Sequence, residues 1–362
     1  MRTVKLLLLL LLSLRICAQK ATVLSLHGDY GFLFLHSLDV APIGQSYPRA
    51  INFDYSQWRI NDANYQACNC YPRLGASAGW HYYNNQRVLG SGFPLYGYLE
   101  PWYKLSDRLF FHFRGGIGLS ALTRPFDAQS NPLNLSYSLP VSAFVMVGAG
   151  FSVSLDAQWF LGLRARYNHV SNGGIREPNK GLNYPSLALQ LDYSLAPVSF
   201  NLSKGISDWR KQETRAFSVN SFWAAQAGAT VGDAFNEQDV TYLVLGLSAH
   251  YHQQWARVSG FTAGLSIVQN YAYQNQIEKV AGTEDSWQAA ALLGHEFILG
   301  KFRFGQQAGF YLHKEYGAQA DWFQRYYLLY YPWPNFGMGP ALKAHAQVAE
   351  FLDFRFSYHF VF

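Results

Sequence analysis

Apolar and polar residues alternate with a period of two through much of this chain. Leu187, Leu189, Leu191, Tyr193 and Leu195 share one face of an extended segment, with Ala188, Gln190, Asp192 and Ser194 on the other. Leu243, Leu245, Leu247, Ala249 and Tyr251 oppose Gly246, Ser248, His250 and His252 in the same way. Phe302, Phe304, Ala308, Phe310 and Leu312 oppose Arg303, Gly305, Gln307, Gly309 and His313. Such alternation predicts strands. The apolar faces carry Leu and Phe centrally and Tyr or Phe towards their ends, while the polar faces carry Arg, Asp, Gln and His. This suits strands with lipid on one side and a polar lumen on the other. In lipid every backbone group must find a protein partner, so such strands must close into a barrel.

The last segment sharpens this expectation. Phe354, Phe356, Tyr358, Phe360 and Phe362 alternate with Arg355, Ser357, His359 and Val361. Outer-membrane barrels commonly end on a strand of this kind, whose terminal aromatic is read by the barrel-assembly machinery. The fold class expected is therefore all-β, a transmembrane antiparallel outer-membrane β-barrel of roughly 12–14 strands, each of about ten residues. The strand count is ambiguous before Leu74 and from Tyr326 to Pro340. The connection Ser154-Leu155-Asp156 is tight. Those from Thr123 to Asn134, Val170 to Pro185, Ser203 to Arg215 and Gln274 to Ser286 are long and polar. Short turns are expected in the periplasm and long loops outside. We expect one barrel domain over residues 19–362, with no linker and no repeat of fixed period.

Composition agrees. Of the 362 residues, 49% are hydrophobic and 17% aromatic, yet only 14% are charged, and mean hydropathy is near zero at -0.08. The N-terminus has a positive region (Arg2, Lys5), an apolar stretch from Leu6 to Leu14 and a small residue, Ala18. This predicts a secretory signal peptide over residues 1–18 and export to the outer membrane of a Gram-negative cell. Arg15 and Ile16 before Cys17 suit a lipoprotein signal badly. Cys68 and Cys70, two residues apart, read as plain loop cysteines rather than a disulfide or a metal site. The net charge of +5 brings no basic run of the kind that nucleic-acid binders carry, so no nucleic-acid partner is expected.

Candidate chemistry lies in one segment, LGLRARYNHVSNGGIREPNKGLNYP, from Leu161 to Pro185. Leu161, Leu163, Ala165 and Tyr167 share the apolar face, and the same phase carries His169 and Ser171 onto the lipid side. Polar residues there are costly and call for a reason. Residues i and i+2 on a strand lie roughly 6.5–7 Å apart, which lets an imidazole reach a hydroxyl and activate it for attack on an ester. Asn172 with the Gly173-Gly174 pair offers an amide and close-approaching backbone N–H groups for an oxyanion. Asn183 is placed to orient the imidazole, with Glu177 as the charged rival. Spacing alone favours a plainer reading, in which His169 and Ser171 are interfacial polar residues at a strand end. Gly115-Gly116-Ile117-Gly118 lacks the spacing and helix of a dinucleotide fingerprint. His250 and His252 fall on a polar face and read as lumen side chains.

Resemblance changes the balance. His169-Val170-Ser171-Asn172-Gly173, followed by Pro178-Asn179, Gly181 and Asn183, resembles the signature of PagL-type lipid A 3-O-deacylases. These outer-membrane barrels remove an acyl chain from lipopolysaccharide. The resemblance implies His169 as base, Ser171 as nucleophile, and Asn172 with the Gly174 N–H as oxyanion donors, with no cofactor. Its implied partner is the lipid A of the outer leaflet. Tyr71-Pro72-Arg73-Leu74-Gly75 and Glu100-Pro101 look like segments of longer relatives, and nothing similar is found beyond Ser199. The best-known deacylases carry Glu where this chain has Asn183, which predicts slower turnover or an orienting role for Glu177. The same residues also resemble outer-membrane phospholipase A, which uses an Asn as third member and needs calcium at a dimer interface. That family's Ser-Arg-Ser-Trp-Asn-Arg stretch is replaced here by Pro178-Asn179-Lys180-Gly181-Leu182-Asn183, so phospholipase ranks second. A homodimer stays open, as does a non-catalytic pore or structural barrel. The deciding feature is whether His169 and Ser171 face lipid or lumen.

Overall fold

The computed structural model describes residues 20–35, 38–200, 215–228, 240–317, 320–346 and 348–362. The expected signal peptide lies outside them, as does nearly all of the expected loop from Ser203 to Arg215. The described residues contain sixteen strands. The first eight are β1 (Lys20–Gly31), β2 (Arg49–Arg59), β3 (Tyr71–Asn85), β4 (Gly90–Lys104), β5 (Leu109–Leu122), β6 (Val141–Ser154), β7 (Trp159–Ser171) and β8 (Leu182–Ser194). The second eight are β9 (Arg215–Ala227), β10 (Thr241–Ala256), β11 (Ser259–Asn270), β12 (Trp287–Leu299), β13 (Phe302–Lys314), β14 (Trp322–Trp333), β15 (Phe336–His345) and β16 (Val348–Val361). Short helices α1 (Asp62–Cys68) and α2 (Tyr271–Lys279) lie in connections. None of the described helices is long and apolar enough to cross a membrane.

These strands form two closed antiparallel barrels, β1–β8 and β9–β16. The all-β class is as expected, but a single barrel of 12 to 14 strands is not what forms. In the first barrel β8 returns to β1, from Val23 opposite Ser194 to Gly31 opposite Ser186. In the second, β16 returns to β9, from Asp353 opposite Ala224 to Val361 opposite Ala216. The ambiguous stretches resolve into β1–β3 and β14–β15, and the expected loop from Gln274 to Ser286 begins inside α2.

The phase of every strand follows the sequence pattern. Leu187 and Leu189 are exposed, with buried Ala188 and Gln190 between and beyond them. Phe356, Tyr358 and Phe360 point outward while Arg355, Ser357 and His359 point in. His250 and His252 also point inward, where the His252 Nε2 bonds the Ser218 Oγ at 2.8 Å. Tight connections such as 155–158, 257–258, 300–301 and 334–335 gather at one end of the barrels, the end that such folds place in the periplasm. The longer ones, 32–48, 123–140, 172–181 and 271–286, gather at the other end, here called the outer rim.

The first barrel's lumen is filled. Trp58, Trp102, Phe110, Phe160 and Phe200 close the periplasmic end, and Tyr83, Tyr96, Tyr137, Phe144 and Tyr184 pack beneath the outer rim. Between them lies a fully buried ionic cluster around Glu100. Its carboxylate accepts from Arg73 Nε at 2.7 Å and Arg114 Nη2 at 3.0 Å, and it also pairs with Arg164 and with His112 at 3.2 Å. Asp54 completes the network through Arg114 at 2.6 Å and His27 at 2.8 Å, and Asp192 through Arg73 at 3.0 Å. Buried charges persist only when paired and hydrogen-bonded.

One local reading is corrected. Cys68 and Cys70 form a disulfide. Asn69, at the C-terminal cap of α1, takes a left-handed conformation with φ 53°, which brings the two Cα atoms to 5.1 Å. An extended i, i+2 spacing would have held them apart.

The Glu100 cluster yields a prediction. Glu100→Ala leaves three buried guanidinium groups short of their counter-charge and should destabilise the first barrel by about 3–5 kcal/mol. Urea unfolding of the purified variant checks this, and an unchanged midpoint would show the cluster to be dispensable.

Candidate active site

β7 ends in the sequence His169-Val170-Ser171, and its outward phase places His169 and Ser171 with Tyr167 and Leu163 on the exterior wall. Tyr167 and Leu163 are exposed, and the neighbouring exterior positions Val145, Val147, Leu187 and Leu189 are exposed as well. His169 is half-buried and Ser171 is buried. The site therefore sits on the lipid-facing side, at the outer rim, above an apolar wall.

The His169 Nε2 lies 2.9 Å from the Ser171 Oγ. On the ring's other side, Nδ1 lies 2.6 Å from the Asn183 Oδ1. Register explains the second contact, because Asn183 stands directly opposite His169 in the β7–β8 pair, on the same face. The backbone carbonyl of Asn183 accepts the Phe34 N–H at 2.9 Å. Asn183 is an amide, so its carbonyl oxygen accepts the Nδ1–H and leaves Nε2 with its lone pair towards the serine. Glu177, the rival orienting residue, is exposed and accepts from the Asn179 N–H at 2.9 Å instead.

The loop from Asn172 to Gly181 is tied down internally. The Asn172 side chain donates to Ser138 Oγ at 3.0 Å and to the Arg176 carbonyl at 2.6 Å, and its Oδ1 accepts from the Gly174 N–H at 3.0 Å. The Asn172 N–H donates to Asn179 Oδ1 at 2.9 Å. From behind, the β5–β6 connection supplies the Leu135 and Ser136 carbonyls to the N–H groups of Lys180 and Gly181, at 3.0 and 2.9 Å. The two expected oxyanion donors, the Asn172 amide and the Gly174 N–H, are thus both engaged within the loop. In this arrangement the amide shapes the loop and presents its oxygen to the glycine. Sequence spacing could not distinguish these uses, since both need the amide beside the glycine pair.

Gly181 takes φ +78°, and a Cβ built on it would meet His169 Cε1 at 2.9 Å. Only glycine lets the returning chain pass this close to the imidazole. Sequence reading used Gly181 only as part of a motif and missed this role.

Among the described residues one group has metal-ligand spacing. Asp285, His313 and Glu315, on the second barrel's outer rim, bring ligand atoms within 4.8 Å of one another. The Asp285 N–H donates to Glu315 at 2.8 Å and His313 pairs with Asp285 at 3.3 Å. They belong to the second barrel, apart from the His169–Ser171 pair on the first, and were not singled out from sequence, where 28 positions separate the first two.

Two family models match the chain. Residues 53–194 match the lipid A 3-O-deacylase family PagL, and residues 217–361 match the acyloxyacyl hydrolase C-terminal domain. The first covers β2 to β8 and the second covers the second barrel. Each half of the chain thus matches a model of a PagL-type family. The region after Ser199, for which sequence reading found no resemblance, thus carries a match of its own over residues 217–361.

None of the curated proteins matches. Among solved structures, the outer membrane enzyme PagL is similar at 16% identity over 46% of this chain and 97% of its own, with a TM-score of 0.33. A mutant porin of Rh. blastica aligns at 11% identity over 94% of this chain and 100% of its own, with a TM-score of 0.21. These scores are too low to argue from.

Gly181→Ala should push the imbedded imidazole off the hydroxyl and slow labelling of Ser171 by a fluorophosphonate by about 100-fold, the cost of a misplacement near 1 Å. Labelling at the native rate would show that the ring tolerates the added methyl.

Proposed function

We propose that this protein is a serine esterase of the outer membrane that removes an ester-linked acyl chain from lipid A of lipopolysaccharide. The observation that carries the proposal is the Asn183–His169–Ser171 chain, with contacts of 2.6 and 2.9 Å, on the lipid-facing wall at the outer rim. The match of residues 53–194 to the lipid A 3-O-deacylase model suggests the substrate class, and the exposed apolar wall beneath the site, with Val145, Val147, Leu187 and Leu189, suits acyl tails.

Ser171 Oγ attacks the ester carbonyl carbon as its proton passes to His169 Nε2. Asn183 holds the Nδ1–H and so fixes the tautomer that can accept this proton. The carbonyl oxygen gathers negative charge and takes the Gly174 N–H, which exchanges the Asn172 Oδ1 for the oxyanion. The Asn172 amide, turning with that exchange, is the second donor. The tetrahedral intermediate collapses, the sugar hydroxyl leaves with the proton from His169, and the acyl group stays on Ser171. Water, deprotonated by His169, then releases the fatty acid and restores the serine. No step uses a cofactor. A membrane-embedded site of this kind meets its substrate by lateral diffusion in the outer leaflet.

The pore alternative requires the pair to face an open lumen, whereas the exterior phase of His169 and the filled first barrel favour the esterase. Phospholipid is the rival substrate for the same chemistry.

Purified protein given lipopolysaccharide should release fatty acid and lower the mass of lipid A by one acyl chain in mass spectrometry. Ser171→Ala should lose this by roughly 10⁴-fold or more, and equal product from both proteins would remove Ser171 as nucleophile. Phospholipid run beside it, with and without calcium, should stay intact. A calcium-dependent release of lysophospholipid would transfer the assignment to the phospholipase class. Asn183→Leu should lower kcat by roughly 100-fold through loss of the tautomer, and Asn183→Glu should raise kcat above the native value by placing a full charge beside the imidazolium. A kcat unchanged in the leucine variant would deny Asn183 its role.

A further inference from the structure

The second barrel is not closed along its whole height. β16 and β9 pair only from Asp353 opposite Ala224 towards the periplasm. Both strands continue beyond that point to the outer rim, β9 through Ala225, Gln226 and Ala227 and β16 back to Val348. No pairing joins them there, although β9 stays paired with β10 as far as Ala227 opposite Thr241. An unpaired strand edge at a membrane rim presents backbone donors that need acceptors.

The catalytic loop of the first barrel fills this split. The Leu352 N–H donates to the Gly173 carbonyl at 3.3 Å, and the Ala227 N–H donates to the Gly174 carbonyl at 2.8 Å. The Thr241 hydroxyl donates to the Ile175 carbonyl at 3.4 Å. One segment of the loop is thus held by β16, β9 and β10 in turn. The fit is close. A Cβ on Gly173 would meet Leu352 Cβ at 2.8 Å, and one on Gly174 would meet the Glu350 carbonyl oxygen at 2.8 Å. Both glycines also have positive φ, +70° and +83°. Beside them is a cleft of about 270 Å³ lined by Glu177, Gln226, Tyr273, His345 and Glu350. The Tyr273 hydroxyl donates to Glu350 Oε1 there at 2.9 Å. Burial, and then the Glu350 charge, push the Tyr273 phenol up, so it stays a donor.

The peptide that links Gly173 to Gly174 carries both the carbonyl held by Leu352 and the Gly174 N–H. A hydrogen bond accepted by the carbonyl fixes the plane of that peptide, and polarises its N–H into a stronger donor. We infer that the second barrel is a positioning device for the catalytic loop, its open β9–β16 seam orienting the Gly174 N–H that receives the oxyanion. Leu352 and Ala227 act through the loop and touch no reacting atom. This rests on the esterase reading above, and it gives the C-terminal domain a role in the reaction of the N-terminal one.

The test uses the full chain with Leu352→Pro and Ala227→Pro, which delete the two N–H donors. Both groups point into the open seam and away from the β15 and β10 ladders, the setting in which a strand tolerates proline. Heat-modified gel mobility reports whether each barrel is folded. The expected result is a kcat on lipopolysaccharide lower by tenfold or more in each variant, with KM within about twofold, because an oxyanion donor acts in the transition state. Hydrogen–deuterium exchange of the 172–181 peptide, which reads the loop whether or not the protein is an esterase, should quicken at Gly174. Folded variants with native kcat and native exchange would overturn the inference. Quickened exchange in a native protein that leaves lipopolysaccharide and phospholipid untouched would sink the esterase reading and keep the docking. If both variants fail to fold, Thr241→Val, which removes only a side-chain donor, should still quicken exchange across 174–176, and native exchange there would count against the seam.

Discussion

In a bilayer no water is present to satisfy a backbone N–H or carbonyl, and this constraint governs the whole molecule. Strands must close on themselves, closure demands alternation, and alternation sends odd and even residues to opposite sides of the wall. The exterior position of His169 and Ser171 is a consequence of that phase. On the same wall, register sets Asn183 opposite His169. Three polar side chains that would be expensive singly in lipid satisfy one another at the rim, where the apolar wall ends.

The same constraint explains the interior. Eight strands enclose a lumen just wide enough for side chains to fill, and the first barrel fills it with aromatics at the ends and paired charges between. Glu100 stands among Arg73, Arg114 and Arg164, each on a different strand, so the cluster crosses the lumen and ties opposite walls together. A rigid wall matters for chemistry that depends on a strand pair holding an imidazole within hydrogen-bond reach of a hydroxyl.

Fold class, strand phase and the shared face of His169 and Ser171 were legible in the sequence because each depends on local spacing, whereas the choice of Asn183 over Glu177 waited on the β7–β8 register. Period two decides which side of the wall a residue takes, and i, i+2 spacing decides whether two residues on one strand meet. The division into two barrels was not legible. Alternation is the same whether β8 turns back to β1 or continues to β9, and closure is written in long-range pairings such as Val23 with Ser194. The Cys68–Cys70 disulfide was missed because it depends on one left-handed residue, Asn69, that the spacing does not reveal. The loop-shaping bonds of Asn172 were missed for a related reason. An amide beside a glycine pair can fold the loop as well as serve an oxyanion, and its partners Ser138 and Arg176 are not written in the spacing.

The amide at position 183 is best understood through the medium around it. In the proposed reaction a carboxylate there would stabilise the imidazolium formed as Ser171 gave up its proton. It would also have to be kept charged on a wall that faces hydrocarbon, where an ion loses its hydration and gains little from neutral neighbours. The Asn183 side chain meets the imidazole and its backbone carbonyl the Phe34 N–H, neither of which carries a permanent positive charge. A neutral acceptor costs little in the resting state and still fixes the tautomer. What it cannot do is lower the energy of the charged intermediate, and that burden falls on the donors that face the oxyanion. The less the third member contributes, the more the reaction depends on the orientation of the Gly174 peptide, and so on whatever holds the loop from its far side.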